Sequence, residues 1–250
     1  MTNVRTISYP DWAAFKRDFF LELFDGGGFH RGRYLFRGVG DADWSLSSTF
    51  DRQFAAVPAQ QRIRLWEELL EQWRAGCVDA GIPEAVTGDE KALWALGQHH
   101  GLPTRMLDWT LSPYVAVFFA FRSHLLAAPV GHEQVAVWAL HADHPVWSAG
   151  GVEVVTAPVL GNNRMRNQGG RFTLCRAAVA SLEEYVDRMA GGAPALTRCL
   201  IPATEVHLAL GDLDAMGITG HDLFPDLTGL ADQATMRAAL AVTHRASARS

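Results

Sequence analysis

Along this chain, apolar side chains return every three or four residues in some stretches and gather into short runs in others. Those are the patterns of helices and strands respectively. Residues 9–24, YPDWAAFKRDFFLELF, carry helical spacing, with Pro10 near the N-terminus, Asp11 in the first turn and a stop at Gly26-Gly27-Gly28. Tyr34-Leu35-Phe36-Arg37-Gly38 predicts a short strand stopped by glycine, and Trp44 to Thr49 a second strand or extended segment. A long amphipathic helix is expected over 59–80, with Ile63, Leu65, Trp66, Leu69, Leu70 and Trp73 on or near its buried face. Another follows over 88–99, capped by Asp89 and closed by Gly101 ahead of Pro103. Arg105 to Thr110 is short and extended. Ser112 then caps a helix with Pro113 at its first position, running to about His124.

The strongest strand pattern is QVAVWALH, Gln134 to His141. Gly151 to Ala157, Arg171 to Ala177 and Arg198 to Ile201 predict further strands. Ser181 to Met189 predicts a helix with Ser181 and Glu184 in a capping-box relation, and two helices over 203–216 and 227–245 close the chain. Strands and helices alternate irregularly. The fold class expected is therefore α+β, a mixed sheet of short strands with helices packed on it, not a doubly wound parallel sheet. No repeat, low-complexity tract or linker stands out, so residues 1–250 read as a single domain with a core over about 30–230.

Composition narrows the class. With 48% apolar and 20% charged residues the chain can bury a sizeable core. Its net charge of −5 argues against a wholesale nucleic-acid binder while leaving room for a local basic groove. Eight tryptophans are a high count, and because a buried indole N–H needs a partner, some are expected along a polar-edged cleft. Cys77, Cys175 and Cys199 lack metal spacing and read as buried free thiols. There is no charged-then-apolar leader and no run of about 18 apolar residues, so a cytoplasmic protein without a membrane partner is expected.

The densest polar cluster runs from Gln98 to Ser112 and falls at a helix–turn–strand–helix junction, where sites commonly sit. The helix after Ser112 offers free N–H groups to a phosphate or carboxylate. Arg105 has the forked donors to hold such an anion. Asp108 and Thr110 share one side of their strand by its two-residue period and can face one ligand. The plainer reading of the same residues pairs Arg105 with Asp108, makes Ser112 an N-cap and His99 a hinge residue. Phe36-Arg37-Gly38 likewise fits either a ligand approaching bare backbone at Gly38 or an ordinary strand-to-turn junction. No Walker loop and no nucleophile elbow is present. His141, Asp143 and His144 lack a recognisable third ligand and read as loop residues, so no metal is expected. No basic run alternates with aromatics as a single-strand binding surface requires.

Taken together, Phe36-Arg37-Gly38, Trp44-x-Leu46-x-Ser48, the run from Gln98-His99-x-Gly101-Leu102-Pro103-Thr104-Arg105 through Leu107-Asp108-Trp109-Thr110-x-Ser112-Pro113, and Ala116 with Phe119-Ala120 resemble the FRG domain. That family is named for its Phe-Arg-Gly motif. Looser matches follow at Val135 to Leu140, at Gln168-x-Gly170-x-Phe172 and at Phe224-Pro225-Asp226-Leu227. A more distant likeness is to ADP-ribosyltransferases, in the order of an Arg-Gly on an early strand, a Thr-x-Ser strand end and a helix with Ala-x-x-Phe. This likeness implies an ADP-ribosyltransferase-like fold and NAD as substrate. Arg37 would hold a phosphate or ribose, Gly38 would orient nicotinamide, Phe36 would stand beside them, and Thr110 and Ser112 would form the polar strand end. Arg105 would help Arg37 with the pyrophosphate, and His99 would bind ribose or move a proton.

The acid expected on a later strand is not matched, since 164–174 offers Gln168 in its place. Asp108, Gln168 and Glu205, with Glu153, are the substitutes for the group that steadies the oxocarbenium charge. Glu205 also suits the first turn of a helix, where the dipole favours an acid. The role implied is a bacterial toxin or antiphage effector acting on a nucleic acid, nucleotide or protein acceptor, with an antitoxin or regulatory protein as candidate partner. Two other functions stay open at this point. One is a non-catalytic nucleotide- or ligand-binding module in the same cleft; the other is a nuclease with His99 and Asp108 as acid–base pair.

Overall fold

The computed structural model describes residues 3–24, 28–126, 133–156, 169–189 and 192–247, with backbone alone at 228 and 243–247. In chain order the elements are β1 (Val4–Ser8), α1 (Trp12–Leu23), β2 (Tyr34–Val39), α2 (Thr49–Gln53), α3 (Ala59–Asp79), α4 (Glu84–Thr87), α5 (Glu90–His99) and β3 (Met106–Thr110). Next come α6 (Pro113–Leu126), β4 (Gln134–His141), β5 (Val152–Val155), β6 (Gly170–Cys175), α7 (Leu182–Arg188), β7 (Leu196–Pro202), α8 (Val206–Ala215), α9 (Gly220–Leu223) and α10 (Leu227–Ser247). The fold is α+β. The strands form one mixed seven-stranded sheet in the order β1-β7-β4-β2-β3-β6-β5. Only β1 and β7 run parallel among the paired strands; the other neighbours are antiparallel.

Strand periodicity sorts the side chains into two faces. On one face, Phe36, Val137, Ala139 and Cys199 from β2, β4 and β7 pack with Phe15, Phe19, Ala116, Phe121 and Leu213 from α1, α6 and α8. On the same face but over β3, β6 and β5, Met106, Leu174, Phe172 and Val155 pack with Trp66, Leu70, Leu93 and Trp94 from α3 and α5. The opposite face buries Leu35, Trp138, Leu140 and Leu107 against Val179, Leu182 and Val186 around α7. Two separate helix groups thus share one face of the sheet. The boundary between the two groups lies over β2 and β3.

Several local expectations shift. The first helix begins at Trp12, because Asp11 is its N-cap, accepting from the Ala14 N–H at 2.7 Å, and Pro10 lies outside it. Trp44 to Thr49 is not a strand. Its polar groups are taken up by side chains instead: the Leu46 N–H donates to the Glu183 carboxylate, the Ser47 hydroxyl donates to the Ala180 carbonyl, and Ser48 caps α2. Edge strand β1 has mostly exposed or half-exposed residues, too weak an apolar signal to stand out in the sequence. The expected strand over 151–157 is Val152–Val155, and residue 157 lies outside the described residues. Of the three free thiols, Cys77 and Cys199 are buried and Cys175 is only half-buried. Among the described residues no helix is long and apolar enough to cross a membrane.

Candidate functional site

Although β2 and β3 are neighbours, a single residue pair joins them, Phe36 with Thr110. An antiparallel ladder continued from there would set Gly38 opposite Asp108, yet the strands part before reaching that point. Their parting opens a cleft of about 290 Å³, lined by Phe36, Arg37, Gly38, Asp108, Trp109 and Thr110 from the two strands, by Phe119, Arg122 and Ser123 from α6, and by Phe224. Phe119 and Phe224 meet edge to face, with ring centres 6.0 Å apart, at one wall.

Polar groups freed where the ladder stops find side-chain partners. Arg37 Nη1 donates to the Asp108 carbonyl oxygen at 2.8 Å, so a guanidinium takes the place of a missing strand partner. The same nitrogen lies 3.7 Å from Asp108 Oδ2. On the other side, Gln98 Nε2 at the end of α5 donates to Asp108 Oδ1 at 2.6 Å, and the Thr104 hydroxyl donates to Gln98 Oε1 at 2.6 Å. Asp108 is thereby held between a cation from one helix group's half of the sheet and a braced amide from the other.

The Asp108 side chain keeps 65% of its accessibility, whereas Arg37 keeps 22%. Asp108 also lines the cleft. Burial there pushes its carboxyl above the usual carboxylate range, while the charge of Arg37 and the bond from Gln98 pull it back. Burial lowers Arg37 from its ordinary value, the Asp108 charge opposes this, and nearby Arg52 adds to it. Burial therefore disfavours the charged form of each partner, and the charge of the other offsets part of that cost. A ligand that supplies hydrogen bonds of its own gains from such a pair.

Gly38 has a structural task. A Cβ there would lie 1.8 Å from the Ala116 carbonyl oxygen and 2.7 Å from the Ala120 nitrogen, so α6 presses directly on β2. The close approach expected of a ligand is made by a helix backbone. Gly40 repeats the device, with a Cβ only 2.7 Å from the His124 nitrogen. These contacts bring Phe119, Arg122 and Ser123 to the cleft.

The remaining site residues expected from the sequence fall as follows. Thr110 lines the cleft on the same side as Asp108, and its hydroxyl accepts from the Ser112 N–H at 3.1 Å. Ser112 accepts from the Val115 N–H at 3.4 Å as the helix cap and does not line the cleft. His99 is exposed at the end of α5, edge-on to His100, and also lies outside the lining. Arg105 is 1% exposed and pairs not with Asp108 but with Asp51, at 3.1 Å from Nη2 to Oδ1. It donates further to the carbonyls of Ala177 and Val179. It is a core cation outside the cleft lining, so the pyrophosphate contact expected of it is not within its reach, although its Nη1 has no hydrogen-bond partner. Glu205 accepts from the Trp12 N–H at 3.0 Å, tying α1 to the start of α8, away from the cleft. Glu153 pairs with Lys91. Gln168 lies outside the described residues.

Gln98 opens the polar cluster and Phe224 stands in a looser family match, though neither was expected to have a site role, and Arg122 and Ser123 were not among the expected residues at all. A signal for two of them was present: Arg122 and Ser123 stand three and four positions after Phe119, on one helix face. Among the described residues no group of three or more His, Cys, Asp or Glu is placed to hold a metal ion.

No curated protein and no solved structure matches the chain. Residues 32–127, which contain every cleft residue named above except Phe224, match the family model described as the FRG domain, and over that stretch the chain is similar to this family.

Proposed function

We propose that the protein is an ADP-ribosyltransferase-like enzyme that uses NAD as substrate in the cleft between β2 and β3. The observation that carries this reading is the meeting of Arg37 and Asp108, from two distant stretches of chain, in one cavity with aromatic walls. An arginine with donors to spare suits a phosphate, an acid suits ribose hydroxyls and a developing positive charge, and Phe119 and Phe224 suit a planar ring. At about 290 Å³ the cavity is at the small end of ligand pockets, roughly 300–1,000 Å³. It takes one nucleotide half of NAD, with the rest along the open mouth.

In this chemistry the bond between nicotinamide nitrogen and ribose breaks, and its electron pair leaves with nicotinamide. An acceptor nucleophile then bonds to the anomeric carbon and gives up its proton. The ionised form of Asp108, disfavoured by burial and partly restored by Arg37 and Gln98, would face the oxocarbenium charge. The ADP-ribosyltransferase-like fold and a toxin or antiphage role belong to the same proposal. The acceptor is a nucleic acid, a nucleotide or a protein.

A second reading, a binding module without turnover, is favoured by one observation: His99 stands outside the cleft and leaves Asp108 no histidine with which to exchange a proton. The same placement removes the acid–base pair on which a nuclease reading rested. Incubation with labelled NAD, alone and with cellular RNA, DNA and protein, separates the readings. The enzyme releases nicotinamide, and Arg37→Ala reduces the rate by about 100-fold or more, the scale for losing a positioned charge. Binding of NAD without release in every mixture supports the module. Scission of nucleic acid in the absence of NAD supports a nuclease.

A further inference from the structure

The chain beyond residue 127 contributes to the cleft in two ways. Phe224 forms part of its wall, and Asp232 on α10 binds Arg122, which lines it. Arg122 Nε donates to Asp232 Oδ2 at 2.6 Å, and Nη2 donates to Oδ1, so the carboxylate grips one edge of the guanidinium with both oxygens. That grip uses Nε and Nη2. The Nη1 group, with its two N–H bonds, is not engaged by Asp232. The pair is partly buried, with side-chain exposures of 31% for Arg122 and 12% for Asp232.

A guanidinium held along one edge cannot rotate, and its opposite edge is fixed in direction. Ser123, the next residue on α6, lines the same cleft and carries a hydroxyl that can donate beside it. Arg37 stands on the strand side of that cavity with only Nη1 committed to Asp108. The cleft is therefore flanked by two arginines, one from the sheet and one from the helix, each with N–H groups uncommitted to its carboxylate partner.

We propose that Arg122, oriented by Asp232, is a second anion contact of the cleft, and that its ligand is a nucleotide whose phosphate lies between Arg122 and Arg37. This rests on the reading of the cleft as a nucleotide site but not on any transfer chemistry. It assigns Asp232 as a positioning residue and makes the C-terminal helix part of the binding site. It also commits the ligand class: a phosphorylated nucleoside in preference to the bare nucleoside, because the aromatic wall serves both and the two arginines serve only the first.

Calorimetric titration of the full chain with ADP and with adenosine tests the proposal. ADP is expected to bind at least about tenfold more tightly than adenosine, one charged contact being worth about that much. Arg122→Gln removes most of this preference, weakening ADP binding far more than adenosine binding. Asp232→Asn breaks the same link between α6 and α10 but keeps the guanidinium, so it weakens ADP binding by less, about two- to threefold. Three results would overturn the proposal: equal affinities for ADP and adenosine in the unaltered protein, including no binding of either; an Arg122→Gln protein that keeps its phosphate preference; or an Asp232→Asn protein as impaired as Arg122→Gln, which would mean the pair acts only as a latch between helices. The failure of this proposal is distinct from failure of the enzymatic reading, because nicotinamide release on Arg37 alone can persist with an indifferent Arg122.

Discussion

Two arginine–aspartate pairs stand at either end of the Gln98–Ser112 motif's reach, and they behave as opposites. Arg105 with Asp51 is closed: side-chain exposures are 1% and 5%, Arg62 approaches the same carboxylate, and Arg105 Nη2 also donates to two backbone carbonyls, while its Nη1 is buried without a hydrogen-bond partner. Arg37 with Asp108 is open, set where two strands part and a cavity begins. Both pairs consist of the same chemical groups. What separates them is access. The sealed pair is shut away from any ligand even though Arg105 Nη1 lacks a partner, and the open pair stands beside a cavity.

The sharpest way to break the comparison is to remove the carboxylate of the sealed pair. Asp51→Ala strands two buried guanidinium groups, and losing one partner of a buried ion pair costs about 3–5 kcal/mol. For a chain of this size that lowers the melting temperature on the order of 10 °C in a thermal scan. A change of under 2 °C would show that the core charge is compensated elsewhere. Next in size, Gly38→Ala sets a methyl group against the α6 backbone and is expected to destabilise by about 3 kcal/mol in urea unfolding, the upper end for overpacking. A neutral outcome would mean that α6 can move off β2, and the cleft would then not be fixed by that contact.

The open pair should respond differently. Arg37→Ala is expected to lower stability by only about 1 kcal/mol, since the Asp108 side chain keeps 65% of its accessibility, while abolishing ligand binding. Smallest of all is a pH effect. Because the folded-state carboxyl of Asp108 is pushed up, its contribution to stability is fully present below the unfolded value of about 3.9 and is lost as pH rises through the folded value. Asp108→Asn removes that dependence. The stability of the variant relative to the unaltered protein should therefore increase from about pH 4 towards neutrality, as read from urea midpoints across that range. A difference that runs the other way would show that Arg37 outweighs burial.

Much of the frame was legible in the sequence. Helical spacing located α3 and α5, because those elements bury regular faces; the Ser112 cap with Pro113 located α6, and QVAVWALH marked the interior strand β4, buried on both sides. The Asp108 and Thr110 pairing on one strand side also followed from the two-residue period. Three things could not be read. The parting of β2 from β3 is a property of where ladders stop, and no single residue encodes it. The partner of Arg105 is Asp51, 54 positions earlier, on the short helix α2, for which no element was expected beyond Thr49. And Phe224 and Asp232 reach the cleft region only because α9 and α10 fold back over α6.

The most direct test is titration calorimetry of NAD against the unaltered protein and against Arg37→Ala, with thermal scans confirming that both are folded. Heat of binding in the first and its loss in the second is the result required if the gap between β2 and β3 is where the ligand sits. Equal binding by both proteins would contradict it, and so would a folded, unaltered protein that takes up no NAD at all.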